Sequence, residues 1–218
     1  MTNAYTPTPR TRPVRRAQRA SYDKALVLAI LDEAMIGALS TIIEGEPHVQ
    51  PMIHARLDET LIFHGSSANR MLGALAAGAR ACFNVSLIDG LLLGRSVPDH
   101  SFQYRSVTVH GVARAHTDAD EKRRLMRVVF DHIIANRWAR LPPVSADYLG
   151  TMMVLTLPLA ACVAKVNRAT PEDVPGEPPH AVWSGVIPFQ VAAGAPIPAP
   201  GPQPPPPENV ARYQRPRT

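Results

Sequence analysis

Phe63-His64-Gly65-Ser66-Ser67-Ala68-Asn69-Arg70 is the run whose residue types most plainly suggest chemistry, because an apolar strand-like segment gives way there to a helical pattern. A helix N-terminus presents unpaired backbone N–H groups and the positive end of the helix dipole. Gly65 lets the backbone come close, and Ser66, Ser67, Asn69 and Arg70 add donors, which together are the parts of a phosphate site. The same residues suit an ordinary Ser-capped surface helix. Tyr104-Arg105-Ser106 forms a second cluster, with another guanidinium, a hydroxyl and a phenol at the head of a long alternating run. Neither cluster decides a function alone.

Other chemistries have less footing. Among His48, His54, His64, His100, His110, His116, His132 and His180 there is no HExxH, CxxC or paired Cys/His spacing, so no metal site is expected. Ser66 and Ser67 lack a G-x-S-x-G elbow. His54 and His64 lie on consecutive predicted strands at positions summing to 118. That pairing admits a haem- or metal-ligand reading beside a plainer one, polar residues satisfied near a cofactor. His132 falls on an apolar helix face and reads as a core or interface residue.

The elements that must position these groups follow from periodicity. Asp23 to Met35 carries apolar residues at helical spacing. Ala38–Ile43, His48–Arg56 and Leu61–His64 read as a strand meander divided by Glu44-Gly45-Glu46-Pro47 and Asp58-Glu59. A helix over 65–78 follows, then Ala81–Leu87 and Leu91–Leu93 flanking Asp89-Gly90, a dipeptide typical of a tight hairpin. Tyr104–Ala115 alternates as a half-buried strand. Thr117-x-x-Asp120 resembles a capping box for a third helix reaching Trp138, and Met152–Val166 supplies one more strand. Antiparallel strands with a few interspersed helices predict a mainly β fold, a closed or nearly closed barrel.

Arg15-Arg16, Gly37 to Thr41, Pro47 to Met52, Leu61 to Ser66, Asp89-Gly90-Leu91, Arg95-Ser96, Tyr104 to Val107 and Trp183 to Pro188 occur in an order that resembles pyridoxamine 5′-phosphate oxidase-like flavoproteins, in the branch related to nitroimidazole-resistance reductases. The resemblance implies an antiparallel split β-barrel homodimer with FMN at the subunit interface. It implies that Pro51, Met52, Ile53 and His54 lie along the flavin ring. His64, Gly65, Ser66, Asn69 and Arg70, with Tyr104, Arg105 and Ser106, would reach the phosphate and ribityl chain, the two clusters converging on one phosphate. Trp183 would close the pocket or cover a core edge. The C-terminal segment departs from that of true pyridoxamine 5′-phosphate oxidase, which argues against vitamin B6 as substrate. The expected activity is flavin-mediated hydride or electron transfer to a small molecule; the alternative is a non-catalytic flavin or haem binder.

Charge and composition set the outer limits. Of 218 residues 45% are apolar and 19% charged, a globular balance. The +5 net charge resides in the ends: residues 1–19 hold five arginines and no acid, and residues 194–218 hold three arginines against one glutamate. The remaining 20–193 is close to neutral, which argues against nucleic acid as partner. Nine of the 23 prolines fall in 194–218. A disordered basic arm (1–19), a folded domain (20–193) and a disordered Pro-rich tail (194–218) are expected. Cys82 and Cys162, each in an apolar run, read as reduced thiols, and the longest apolar stretch is too short to span a bilayer. A cytoplasmic protein with no membrane partner is expected.

Overall fold

The computed structural model describes residues 3–172 and 181–214. A two-residue strand, β1 (Ala20–Ser21), precedes helix α1 (Lys24–Glu33), which Asp23 caps by accepting the Leu26 amide at 2.8 Å. Val27, Ile30 and Leu31 turn inward from α1 and are fully buried. Two hairpins follow, β2 (Ile36–Ile43) with β3 (Glu46–Ile53), and β4 (Ala55–Leu57) with β5 (Thr60–Ser66). Glu44 and Gly45 have φ of 55° and 86°, the left-handed pair that a two-residue hairpin requires.

Helix α2 (Arg70–Ala76) leads to two long partners, β6 (Arg80–Leu93) and β7 (Ser101–Val112). Then come β8 (Arg114–His116), α3 (Ala119–Ile133), α4 (Ala146–Gly150), β9 (Met152–Pro158), β10 (Cys162–Asn167), β11 (Gly185–Pro188) and α5 (Glu208–Ala211). One sheet runs β1-β10-β7-β6-β2-β3, with β11 beside the far end of β6; the other runs β4-β5-β9-β8. All ladders are antiparallel. The architecture is the mainly β, split arrangement with peripheral helices, and its two sheets do not join into a closed barrel. Between them lies the core, in which Phe63 and Phe83 meet edge to face at 4.9 Å. Among the described residues no helix is long and apolar enough to cross a membrane.

Several local expectations give way. Asp89-Gly90 turns no hairpin: β6 runs straight through it with a bulge between Ile88 and Gly90. The bulge frees Asp89 to bond Arg105, and a Cβ on Gly90 would stand 3.0 Å from the Ile187 carbonyl oxygen of β11. Met152–Val166 is two strands, because the chain turns after Pro158 and pairs Cys162 back onto Val109. The cap of α3 is Asp118, one residue beyond Thr117, and it accepts the Glu121 amide at 2.8 Å.

The chain ends are also more ordered than composition suggests. From residue 3 the basic arm is laid on the domain: Tyr5 and Thr11 are buried, the Tyr5 amide donates to the Tyr22 carbonyl, and the Tyr22 hydroxyl donates to the Thr11 carbonyl. In the tail, residues 190–206 are exposed and irregular, but α5 docks, with Asn209 Nδ2 donating to the Ala135 carbonyl and the Tyr213 hydroxyl 3.4 Å from Met35 Sδ. Parts of both segments thus make contacts with the domain, while most of the tail stays exposed. Residues 1–2 and 215–218 of them lie outside the described residues.

Candidate functional site

The larger sheet has an open outer face whose residues follow from strand alternation. On β2 it carries Ile36, Ala38, Ser40 and Ile42, and register places Ile53, Pro51, Val49 and Pro47 of β3 opposite them. Ile36, Ile42, Val49 and Ile53 are between 42% and 66% exposed. Across β6 the face continues as Cys82, Asn84, Ser86 and Ile88, and on β7 as Tyr104, Ser106, Thr108 and His110. The predicted residues Pro51, Ile53, Tyr104 and Ser106 therefore share one face. Two strands separate the pairs, so β3 and β7 stand about 14 Å apart at normal strand spacing. Ser106 Oγ donates to the Lys165 carbonyl at 3.2 Å. Met52 points the other way, against the core.

The strand-to-helix passage lies on the side of β3 that Gln50 faces, opposite the outer face. Ser66 and Arg70 are exposed and Gly65 is half-buried; a Cβ on Gly65 would meet Leu72 Cδ1 at 2.7 Å. Asn69 is occupied: its Oδ1 accepts the Leu72 amide and its Nδ2 donates to Gln50 Oε1 at 3.0 Å. It caps α2 and ties it to β3. Arg70 pairs at 2.7 Å with Glu44, both side chains well exposed, a contact of small energy that another anion can replace.

Arg105 has a different task from the expected phosphate anchor. It faces the interior at 7% exposure. Its Nε and Nη2 donate to Asp89 at 2.8 and 2.7 Å, and its Nη1 and Nη2 to Glu33 at 2.5 and 3.0 Å. The two carboxylates, Asp89 foremost, hold the guanidinium pKa further above its ordinary value. With Arg105 held by Glu33 and Asp89, Ser106 on the outer face and Asn69 bonded to Gln50 on the other side of β3, one protomer does not bring the two clusters onto a single phosphate.

His54 and His64 are likewise separated in role. His54 ends the break between β3 and β4, wholly buried, with Nε2 3.0 Å from the Leu31 carbonyl oxygen and its ring edge-on to Phe83 at 4.9 Å. Desolvation lowers its pKa to about 4. His132 stands 6.2 Å away, ring to ring. His64 is half-buried on β5 opposite Val154. Its buried Nδ1 has no hydrogen-bond partner among the described residues, and burial lowers its pKa. Pairing in this hairpin sums to 117, as in Ala55 with Ile62, so the two histidines are not ladder partners. Trp183 is 64% exposed and lies over Gly185, its ring 2.7 Å from where a Cβ would stand. Among the described residues no three His, Cys, Asp or Glu side chains gather as a metal site. Both cysteines are free thiols, Cys162 buried and raised to about 12 by desolvation.

Sequence reasoning missed Gln50 and the apolar outer face. The signal was available, since β3 places Val49, Pro51 and Ile53 in alternation with His48, Gln50 and Met52, and it is the apolar set that is exposed.

Residues 23–166 match the family model described as pyridoxamine 5′-phosphate oxidase. Among curated proteins none matches the sequence. Among solved structures, the flavocytochrome Anf3 from Azotobacter vinelandii is 32% identical at a TM-score of 0.90, covering 96% of this chain and 99% of its own. An FAD and haem binding protein from Mycobacterium smegmatis is 27% identical at a TM-score of 0.85, covering 90% and 98%. A candidate 5-nitroimidazole antibiotic resistance protein from Bacteroides thetaiotaomicron, 22% identical at 0.57 over 67% and 86%, shares the fold.

Proposed function

Since the chain belongs to the pyridoxamine 5′-phosphate oxidase family, we propose that it is a flavin-dependent oxidoreductase acting as a homodimer, with the flavin held between the outer faces of two protomers. The observation that carries this reading is the open sheet face that Pro51, Ile53, Tyr104 and Ser106 share with exposed Ile36 and Val49. A surface that is apolar on β2 and β3 and polar across β6 and β7 suits an aromatic ring system with polar substituents and a partner subunit together. The donors at the β3 edge fit the phosphate end: Arg70 is held only by an exposed carboxylate, and the Ser66 hydroxyl faces solvent. Asn69, through Gln50, fixes α2 against β3. Two copies are needed to bring a β7 face toward an α2 passage, because one copy keeps them apart.

Bound flavin supplies hydride or electron transfer. The protein's share is to orient the ring, hold the phosphate and exclude water. The resemblance implies FMN, while one full-length relative is described as binding FAD, so the flavin nucleotide is the shared chemistry. Similarity to a flavocytochrome favours a second group, haem. Each of the two histidines considered has an unpartnered buried Nδ1, and His64 fits it better through its partial exposure, while His54 is sealed in the core.

Denaturing the purified protein and weighing what it releases tests the reading. A flavin mass, and turnover of a reduced pyridine nucleotide with a nitro compound or quinone, are expected. Flavin without turnover would leave a carrier; no flavin would overturn the proposal.

A further inference from the structure

At the β1 edge of the larger sheet, the end of its strand order opposite β3, a groove of about 860 Å³ opens between the N-terminal arm and the segment after β10. Among the described residues Arg15, Arg16, Arg19, Lys165 and Arg168 line it, against two acids, Asp99 and Glu172. Asp99 is already engaged by the Ser96 hydroxyl. No carboxylate is paired with any of the five cations among the described residues. Arg16 sits in the left-handed region at φ 56°, heading a single 3-10 turn over Ala17–Arg19. A non-glycine residue there carries a conformational cost, and such costs gather at ligand sites. Leu92, Val166 and Pro171 give the groove an apolar portion.

Five unpaired cations around one concavity repel one another, and a polyanion relieves that repulsion. The volume falls in the range of small-molecule sites. A concave pocket of this size suits a nucleotide better than the extended track that a nucleic-acid strand needs. We propose that this groove binds the diphosphate of a nucleoside diphosphate, the guanidinium groups of Arg15, Arg16 and Arg168 taking the phosphates and the apolar portion taking the base. That group has two sources, the adenosine half of a dinucleotide flavin or a separate nucleotide. The inference rests on the groove itself and stands whether or not a flavin lies on the outer face.

Isothermal titration of the full chain with ADP tests it, with flavin content read from the absorbance of the same preparation. Saturable binding is expected, falling roughly tenfold or more in an Arg15→Gln, Arg168→Gln variant that keeps the parent's melting temperature; the variant's flavin content falls with it if the groove holds the dinucleotide's own half and stays at the parent's level if it holds a separate nucleotide. Should that variant not fold, Arg16→Gln alone serves, with a smaller loss. Binding only to flavin-free protein assigns the groove to the dinucleotide's own half, and binding to both forms assigns it to a separate nucleotide. Absent ADP binding, equal binding by the variants, or preference for a single-stranded oligonucleotide over ADP overturns the proposal. ADP binding by protein that never carries flavin would sustain the groove and sink the flavin reading.

Discussion

Two arginines that look interchangeable in the sequence are separated by burial. Arg70→Ala removes an exposed cation whose partner is an exposed carboxylate, so it should leave stability within about 0.5 kcal/mol and weaken flavin retention roughly tenfold, read by flavin-to-protein absorbance. Arg105→Ala leaves Glu33 and Asp89 without their shared cation and should cost about 3–5 kcal/mol, read as a lowered denaturation midpoint. Full flavin retention in the Arg70 variant would remove it from the phosphate site. His54 makes a pH prediction. Its folded pKa of about 4 lies below the ordinary 6.5, so the unfolded chain binds the extra proton first. Stability should be whole above pH 6.5 and fall as acid brings the pH down toward 4, by up to about 3 kcal/mol for this group. His64 and His132 are shifted in the same direction by burial and add to that slope. Denaturant midpoints at stepped pH, compared with His54→Phe, check it: the variant's curve should be flatter.

At the scale of elements, Gly37 shows why β2 can pack as it does. A Cβ there would stand 2.4 Å from the Phe83 ring and 2.6 Å from the Asn84 carbonyl oxygen, so Gly37→Ala should destabilise by about 1–3 kcal/mol, measured by thermal melting. Periodicity made α1, the β2–β3 hairpin and the alternation of β7 legible, because each is set by neighbours within a few residues. Asp89-Gly90 misled because a local turn signal lost to two remote contacts, Arg105 on β7 and the backbone of β11. Glu33 stands 72 residues from Arg105, and no local pattern announces such a pair, so Arg105 read as free for a ligand. The outer-face residues Pro51, Ile53, Tyr104 and Ser106 were legible as candidates through the ordered motifs, although only register shows that they share a face. The ordered arm was hidden because its anchors are just Tyr5 and Thr11 amid arginines.

For the molecule as a whole, the open face makes the dimer testable. Val49→Asp places a charge on a residue that is 66% exposed in one protomer; the folded monomer should tolerate it, whereas an apolar seam between two copies should not. Light scattering should then report a monomer, with flavin lost alongside the partner. A variant that stays dimeric and flavin-loaded would place the interface elsewhere.

The pairing of Ala20 and Ser21 with Lys165 and Ala164 also orders events during synthesis. On the ribosome, β1 must wait until some 144 further residues have emerged before β10, its ladder partner, exists, a long loop to close. Until then the arm has only part of its docking surface, and the arginine-lined groove, built from both sides of that seam, does not exist. Nascent chains stalled short of residue 160 should therefore present Arg15 to Arg19 to added protease, and chains stalled far beyond residue 172 should protect them.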